Sequence, residues 1–287
     1  MIAALSPSRA ADFKQCPLLF RFRTIDRLDG PPSPAAARGT LVHAVLEHLF
    51  ELPAEQRTPE AAVALLEPRW RELTEERPEL AGMVADADDL DEESWLRDAG
   101  VLVERWFGLE DPTRLEPAER ELYVETELAP VDGGEGLVLR GYVDRLDVAP
   151  DGAMRVVDYK TGRAPREAFE GKALFQMKFY ALVLWRLHGE VPRLLQLVYL
   201  GDGEIVRYEP DERDLLALER NVRAVWQAIG RAAATGDWRP RVSRLCDWCD
   251  FRELCPEFGG TPPPLPEGAG VVALDPARSG LAVPADD

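Results

Sequence analysis

An acid and a lysine stand two residues apart at the end of a run of strand-forming residues, VVDYKTG. Side chains alternate along a strand, so Asp158 and Lys160 point to one face while Tyr159 between them points to the other. Burying an unpaired charge is costly, so ionised groups in a buried strand are rarely without partners. The two residues therefore form either a structural salt bridge or part of a functional site.

A further acid, Asp144, lies upstream in GYVDRLD, a strand-like run that a short turn connects to VVDYKTG. Two strands joined in this way can bring Asp144 close to Asp158. Neighbouring carboxylates repel each other, so such a pair persists with a bound cation or a shared proton. Mg²⁺ or Mn²⁺ takes oxygen ligands and leaves positions for water and phosphate. With Lys160 to orient water or neutralise charge on the phosphate, these residues suit metal-assisted phosphodiester hydrolysis.

Two pairs of polar residues lie one helical turn apart. His43 and Glu47 share a helical face in RGTLVHAVLEHLF. His43 is either a structural histidine or a neutral imidazole ligand of the metal, with Glu47 as an acceptor nearby. Gln176 and Tyr180 are similarly spaced in FQMKFYA. They either pack on the sheet as ordinary helix residues or contact the scissile strand or a water on the metal, and their spacing fits both interpretations.

Four cysteines are the only thiols of the chain. Three lie in RLCDWCDFRELCPEF with Cys-x2-Cys-x5-Cys spacing, and the fourth is remote: Cys246, Cys249 and Cys255, with Cys16 near the N-terminus. Cytosolic thiols stay reduced, which argues against disulfides. Four thiolates can hold zinc or an iron–sulfur cluster, and either would tie the N-terminal segment to the C-terminal one. The alternative is four cysteines without a joint function.

The elements that must position these residues alternate between helical and strand-like periods. We predict a helix start at Ser6 and Pro7, then helices at 38–50, 59–78, 91–109, 166–188 and 211–235. Three strand-like runs predict an antiparallel meander, and two later runs add a fourth and a fifth strand: 121–130, 136–150, 152–162, 193–201 and 204–210. This order predicts an α/β or α+β core with a helical insertion near its start.

The predicted domain organisation is a single domain over residues 1–258. Its helical insertion covers about 51–115, and its cysteine segment covers 244–258. The remaining residues, 259–287, are rich in Gly, Pro and Ala with little periodicity, so we expect a disordered tail.

Composition narrows the class of protein. With 287 residues, 46% hydrophobic and 30% charged, the chain has the make-up of a globular protein. No stretch resembles a membrane span or a secretory signal, so the predicted location is the cytoplasm. A net charge of -18 argues superficially against nucleic acid, yet residues 51–130 hold 23 acids and only 8 bases and account for most of the excess. No Gly-x4-Gly-Lys-Ser/Thr motif is found, so we expect no ATP motor within this chain.

Taken together, these motifs resemble those of RecB-type nucleases of the PD-(D/E)XK superfamily. The matching segments, in the family's order, are GTLVHAVLE, GYVDRLD, VVDYKTG and QMKFYA. Val143 stands where the proline that names the superfamily would be. The cysteines resemble the four-cysteine iron–sulfur subgroup, which includes AddB-type nuclease domains and CRISPR-associated exonucleases.

The resemblance implies a restriction-endonuclease-like α/β fold, with a central mixed sheet flanked by helices and a [4Fe–4S] cluster, rather than zinc, joining the two ends of the domain. It implies metal ligation by three side chains and one backbone carbonyl, those of His43, Asp144 and Asp158 and of Tyr159. It also implies Lys160 as the catalytic lysine, with Gln176 and Tyr180 as a helix motif beside the site.

The predicted activity is that of a metal-dependent DNA exonuclease, using Mg²⁺ or Mn²⁺ and preferring single-stranded ends, in repair, recombination or end-processing. DNA is the predicted partner, and the resemblance adds a separate helicase or a CRISPR adaptation protein. The alternative from another class is a non-catalytic module that binds DNA ends or protein and retains the fold and the cluster.

Overall fold

A five-stranded mixed sheet forms the centre of the computed structural model, which describes residues 4–31, 33–85, 91–130, 136–165, 170–266 and 268–274. In order along the sheet, the strands are β1 (Glu119–Leu128), β2 (Leu137–Val148), β3 (Met154–Lys160), β4 (Leu194–Tyr199) and β5 (Glu204–Tyr208). β3 and β4 are parallel, and the other neighbours are antiparallel. The predicted meander and the predicted mixed sheet are therefore confirmed.

Helices flank this sheet, as predicted. The α-helices of the described residues are α1 (Pro7–Gln15), α2 (Pro17–Phe20), α3 (Pro34–Leu49), α4 (Pro59–Ala64), α5 (Leu66–Glu76), α6 (Pro78–Ala85), α7 (Glu92–Phe107), α8 (Glu170–His188), α9 (Glu212–Thr235) and α10 (Ala269–Leu274). The Ser6 hydroxyl caps α1 by accepting the N–H of Arg9 at 3.3 Å, as the sequence predicts. None of the described helices is both long and apolar enough to cross a membrane.

Two apolar cores cover the two faces of the sheet. Val156 of β3 packs into a core with α1, α8 and α9, and its neighbour Val157 packs into a second core with α3, α5 and α7. Because side chains alternate along a strand, a strand covered on both faces is buried along most of its length. β3 follows this rule, and any polar side chain on it must find a partner within the protein.

The helical insertion differs from its prediction at one point. A single helix was expected over 59–78, whereas α4 ends at Ala64 and α5 begins at Leu66. Pro68 accounts for the break, because a proline ring clashes with the carbonyl four residues earlier in a continuous helix. Within the predicted tail, α10 packs against α9, and residues 275–287 lie outside the described part of the chain.

The edge of β2 changes neighbours along its length. Leu5 forms a parallel bridge to Leu139, with its N–H donating to the carbonyl of Val138 at 2.8 Å. The ladder to β3 begins only at Arg145, which pairs with Val157. Between these two points β2 and β3 diverge, and this divergence makes room for polar side chains between two otherwise packed strands.

Candidate active site

Asp144 lies on β2 where the strand separates from β3. Its carboxylate accepts the backbone N–H of Tyr159 at 2.7 Å. A side-chain oxygen thus takes the place of the strand carbonyl that a continuous ladder would supply, and the buried N–H keeps a partner. Asp144 and the β3 motif are therefore brought together, as the sequence predicts.

His43 of α3, which packs on the face of the sheet that carries Val157, also contacts Tyr159. Its Nε2 lies 3.0 Å from the carbonyl oxygen of Tyr159, and its Nδ1 lies 3.5 Å from Oδ2 of Asp144. A carbonyl can only accept, so a hydrogen bond there places the proton on Nε2. With that proton on Nε2, the lone pair of Nδ1 faces the carboxylate of Asp144, and a cation between the two groups would stabilise this arrangement.

Glu121 joins this group, although the sequence did not single it out. The pairs on either side of it in the β1–β2 ladder, Arg120 with Arg145 and Leu122 with Val143, place it opposite Asp144. Its backbone has φ +43°, which a side chain with a Cβ rarely adopts. Strained backbone of this kind is often found at functional sites.

The three side chains form a compact potential ligand set. One ligand atom from each of His43, Glu121 and Asp144 lies within 4.8 Å of the others, and in the described part of the chain no other such group is found. Oε1 of Glu121 is 3.9 Å from Nδ1 of His43. Glu47, one turn along α3, lines the same small cavity. One imidazole and two or three carboxylates are donors that suit a hard divalent ion.

Burial and mutual repulsion disfavour the charged forms of two of these carboxyl groups. Burial, and then the charge of Asp144, raises the pKa of Glu121 to about 7. The same two causes raise the pKa of Asp158 to about 6, although Lys160 acts in the opposite direction. A cation at this point would relieve the repulsion and lower both pKa values.

Asp158 and Lys160 form the ion pair that their spacing suggested. Nζ of Lys160 lies 2.6 Å from Oδ2 of Asp158, which is 1% exposed. Oδ1 of Asp158 is buried and has no hydrogen-bond partner among the described residues. Asp158 also falls outside the compact ligand set around Asp144. A salt bridge alone therefore leaves one carboxylate oxygen unsatisfied, as expected of a group with a further partner to bind.

Gln176 and Tyr180 of α8 extend this pair towards the surface. Lys160 donates to Oε1 of Gln176 at 3.0 Å, and Nε2 of Gln176 donates to the Tyr180 hydroxyl at 3.0 Å. Gly141 of β2 lets the ring of Tyr180 approach, because a Cβ there would lie 2.6 Å from Cε1 of the ring. The pair thus contacts Lys160, while Tyr180 also packs in the core beside the sheet, and contact with a scissile strand or a water stays a prediction.

A buried arginine holds β2 and β3 together beside the site. Arg145 is fully buried and donates to both carboxylate oxygens of Glu110, at 2.9 and 2.7 Å. It also donates to the hydroxyl of Tyr159 and pairs with Asp147, its Nε lying 3.1 Å from Oδ1. Asp147, the second acid of GYVDRLD, thus serves this network and lies outside the ligand set.

The four cysteines line one cavity at the N-terminal end of α2. Sγ of Cys16 accepts the N–H of Arg241 at 3.4 Å, across 225 residues of sequence. Burial raises the pKa of Cys249, and the nearby Cys16 and Cys246 raise it further. The cysteines do not form a group of three with sulfur atoms within 4.8 Å in the described residues. They share a cavity without the spacing of a single bound ion.

Comparisons with known proteins identify the family of this chain. A family model described as the PD-(D/E)XK nuclease superfamily matches residues 4–256. The chain belongs to the PD-(D/E)XK nuclease superfamily. The matched range covers the sheet and the helices on both of its faces, and it includes every polar residue named in the site above.

Two individual proteins are similar to this nuclease-superfamily member. The Gene 69 protein of Mycobacterium phage D29 is 27% identical over 281 residues, which cover 88% of this chain and 96% of that protein. A crystal structure from Eubacterium rectale, of a protein described as a candidate exonuclease, covers 95% of this chain and 93% of its own, with a TM-score of 0.56 and 13% identity. At that identity the likeness concerns the fold alone.

Proposed function

We propose that this chain is a metal-dependent DNA exonuclease that acts on single-stranded ends. The observation that carries the proposal is the grouping of His43, Glu121 and Asp144 next to the ion pair of Asp158 with Lys160, at the point where β2 leaves β3. Membership of a nuclease superfamily gives the reaction class, and the fold neighbour described as a candidate exonuclease supports action at ends.

The residues present fit a divalent ion. In the proposal, the side chains of His43, Glu121, Asp144 and Asp158 and the backbone carbonyl of Tyr159 would hold it. The unpaired Oδ1 of Asp158 and the raised pKa of Glu121 both belong to buried carboxyl groups whose charged forms a cation would stabilise. When bound, Mg²⁺ or Mn²⁺ supplies Lewis-acid polarisation of the phosphodiester and lowers the pKa of water.

Lys160 contributes from the chain itself. An ammonium group has three N–H donors, and the described contacts of Lys160 direct them to Asp158 and to Gln176. A third donor thus remains for a phosphate oxygen or a water, and the side chain is 30% exposed, so substrate can reach it. Gln176 and Tyr180 fix the direction of this ammonium, and in the proposal they position the lysine rather than touch the scissile bond.

The test is digestion of end-labelled single-stranded, duplex and circular DNA with Mg²⁺, with Mn²⁺ and with EDTA. The proposal predicts metal-dependent loss of linear single strands, slower loss of duplex, and survival of circles. Cleaved circles would show an endonuclease and contradict the exonuclease proposal. A folded, metal-replete protein that binds DNA ends without cutting them would instead be a non-catalytic binding module.

We further propose the RecB-type subgroup with a [4Fe–4S] cluster on Cys16, Cys246, Cys249 and Cys255. The four thiols line one cavity, which supports a shared group. Zinc with sulfur at 2.3 Å requires sulfur atoms about 3.8 Å apart, closer than any three of these described cysteines approach. A cubane separates its thiolates more widely because four iron atoms stand between them. The reduced thiols that such a centre needs fit the cytoplasm.

Cys249→Ser is expected to remove the cluster and lower the unfolding midpoint, because the group ties residues far apart in sequence. Iron and acid-labile sulfide, measured on anaerobically purified protein, should approach four of each per wild-type chain. Glu257→Gln, an exposed position in the same segment that does not line the cavity, is the control and should keep them. Full zinc occupancy without iron would contradict the cluster.

The proposal treats residues 1–258 as one domain, because the cysteine segment packs on α1 and α2 rather than standing apart. DNA is the proposed partner, because the chain belongs to a nuclease superfamily. DNA repair, recombination or end-processing is the setting that such an activity would serve.

A further inference from the structure

A second, larger cavity opens beside the site. Its volume is about 450 Å³, within the range of ligand-binding clefts. Gln176 and Tyr180, which lead to Lys160, form one end of it. The first turns of α1 form one wall, and the edge of β2 near Gly141 forms another. The cavity, here called the α1 groove, thus adjoins the proposed active site through Gln176, which contacts Lys160.

Two exposed aromatic rings line the α1 groove. Tyr123 and Tyr142 are cross-strand partners on β1 and β2, and their ring centroids are 5.2 Å apart at 56°. They are 45% and 44% exposed, so large apolar faces remain in contact with water. The Tyr123 hydroxyl donates to Glu125, which fixes its ring without covering it. Rigid, exposed aromatic faces are the surfaces on which unpaired bases stack.

The charge of the α1 groove is opposite to that of the whole chain. Arg9, Arg23 and Arg140 line it, in a protein whose net charge is -18. Asp12, the acid among the described lining residues, pairs with Arg23 at 3.0 Å, and Asp250 pairs with the same guanidinium at 3.2 Å, so Arg9 and Arg140 contribute most of the excess positive charge. Arg140 also interacts with the hydroxyl of Tyr123. Local positive charge next to stacking faces is complementary to a strand of phosphates and bases, and poorly suited to an apolar or cationic partner.

We infer that the α1 groove binds the single-stranded DNA that leads to the active site, with Tyr123 and Tyr142 stacking on bases and Arg140, Arg9 and Arg23 contacting phosphates. This inference rests on the proposed function for its substrate and adds the path of that substrate. A duplex keeps its bases stacked inside, so it cannot use the tyrosine faces. The α1 groove therefore favours single strands over duplex.

The test measures the affinity of the full chain for a labelled oligothymidylate by fluorescence anisotropy, in EDTA so that metal-dependent cleavage is blocked. The oligothymidylate has about 20 nucleotides, which is longer than one such groove covers. Tyr123→Leu with Tyr142→Leu is expected to weaken binding about 10- to 100-fold, while the matched Tyr→Phe pair keeps the rings and stays within about threefold. Arg140→Gln should lower the slope of log affinity against log salt by about 0.7. Arg193→Gln, exposed at the opposite end of the sheet, is the charge control.

The outcomes separate this inference from the proposed function. Three results would each contradict binding of single-stranded DNA by the α1 groove. They are unchanged oligothymidylate binding by the Tyr→Leu pair, an equal loss of binding in the Tyr→Phe pair, and tighter binding of a blunt duplex than of the oligothymidylate. Metal-dependent cleavage by the wild type would still support the nuclease. Conversely, if the wild-type protein binds DNA through these tyrosines but never cleaves it, DNA binding by the α1 groove would be supported and the proposed nuclease activity would be contradicted. A wild type that binds no oligothymidylate refutes the groove directly.

Discussion

Asp158→Asn is expected to lower metal-dependent DNA cleavage by about a thousandfold, because it removes the buried charge that pairs with Lys160 and is proposed to bind the metal. The same change should stabilise the metal-free protein at pH 8. The pKa of Asp158 is raised in the folded state to about 6 from an ordinary value of 3.8. Folding thus disfavours the ionised carboxylate, which lowers the free energy of unfolding. This loss of stability is absent below the pKa of the unfolded state, 3.8, and is complete above the pKa of the folded state, about 6.

Asparagine has no such cost, so the stability advantage of Asp158→Asn should grow from pH 4 to pH 7 and reach on the order of 3 kcal/mol. Urea unfolding in EDTA at several pH values measures it, and initial cleavage rates in Mn²⁺ measure the activity. Asp151→Asn, in the exposed turn between β2 and β3, is the matched control and should change neither. Cleavage within tenfold of wild type by Asp158→Asn would remove this residue from the site.

Arg145→Met is expected to cost about 3–5 kcal/mol in the free energy of unfolding, because it removes the cation paired with the buried carboxylate of Glu110 and leaves only the neutral donors of Trp106 and Gln196. Burial by itself raises the pKa of Glu110, yet the hydrogen bonds and charge of Arg145 bring that pKa below its ordinary value. Methionine fills the volume of the arginine stem, so lost pairing rather than a cavity causes the effect. Denaturant midpoints measure it.

A second variant isolates the cause. Adding Glu110→Gln to Arg145→Met removes the uncompensated charge and should recover a substantial part of the lost stability. Arg193→Met, whose side chain is 75% exposed, is the matched control and should stay within about 0.5 kcal/mol of wild type. If the double variant is no more stable than Arg145→Met alone, the ion pair is not what stabilises this region.

The sequence predicted those parts of the site that follow from local periodicity. Because side chains alternate along a strand, Asp158 and Lys160 were expected on one face. The short turn between β2 and β3 was expected to bring Asp144 close to them. One helical turn separates Gln176 from Tyr180, so these two were expected to be neighbours. The same periodicities predicted the five strands and most of the helices. Each of these relations involves residues close in sequence or strands joined by a short connection, so few alternative arrangements compete.

The sequence did not predict contacts that depend on the register of two strands or on a charged side chain being buried. Glu121 lies opposite Asp144 only in one register of β1 with β2, and its positive φ has no signature in a glutamate. Arg145 has the residue type of a surface strand position, yet it is fully buried because Glu110, from the end of the helical insertion, meets it there. Such pairings appear only once distant elements are packed.

In the proposed function, the polar cluster between β2 and β3 cuts DNA with the help of a metal. Its most direct test is the rate at which wild type and Asp144→Asn degrade one linear single strand in Mn²⁺. Asparagine can still accept the N–H of Tyr159, so the fold should persist. We expect rapid loss of the strand with wild type and none above background with the variant. Equal rates for the two proteins, or equal wild-type rates in Mn²⁺ and EDTA, would contradict the claim.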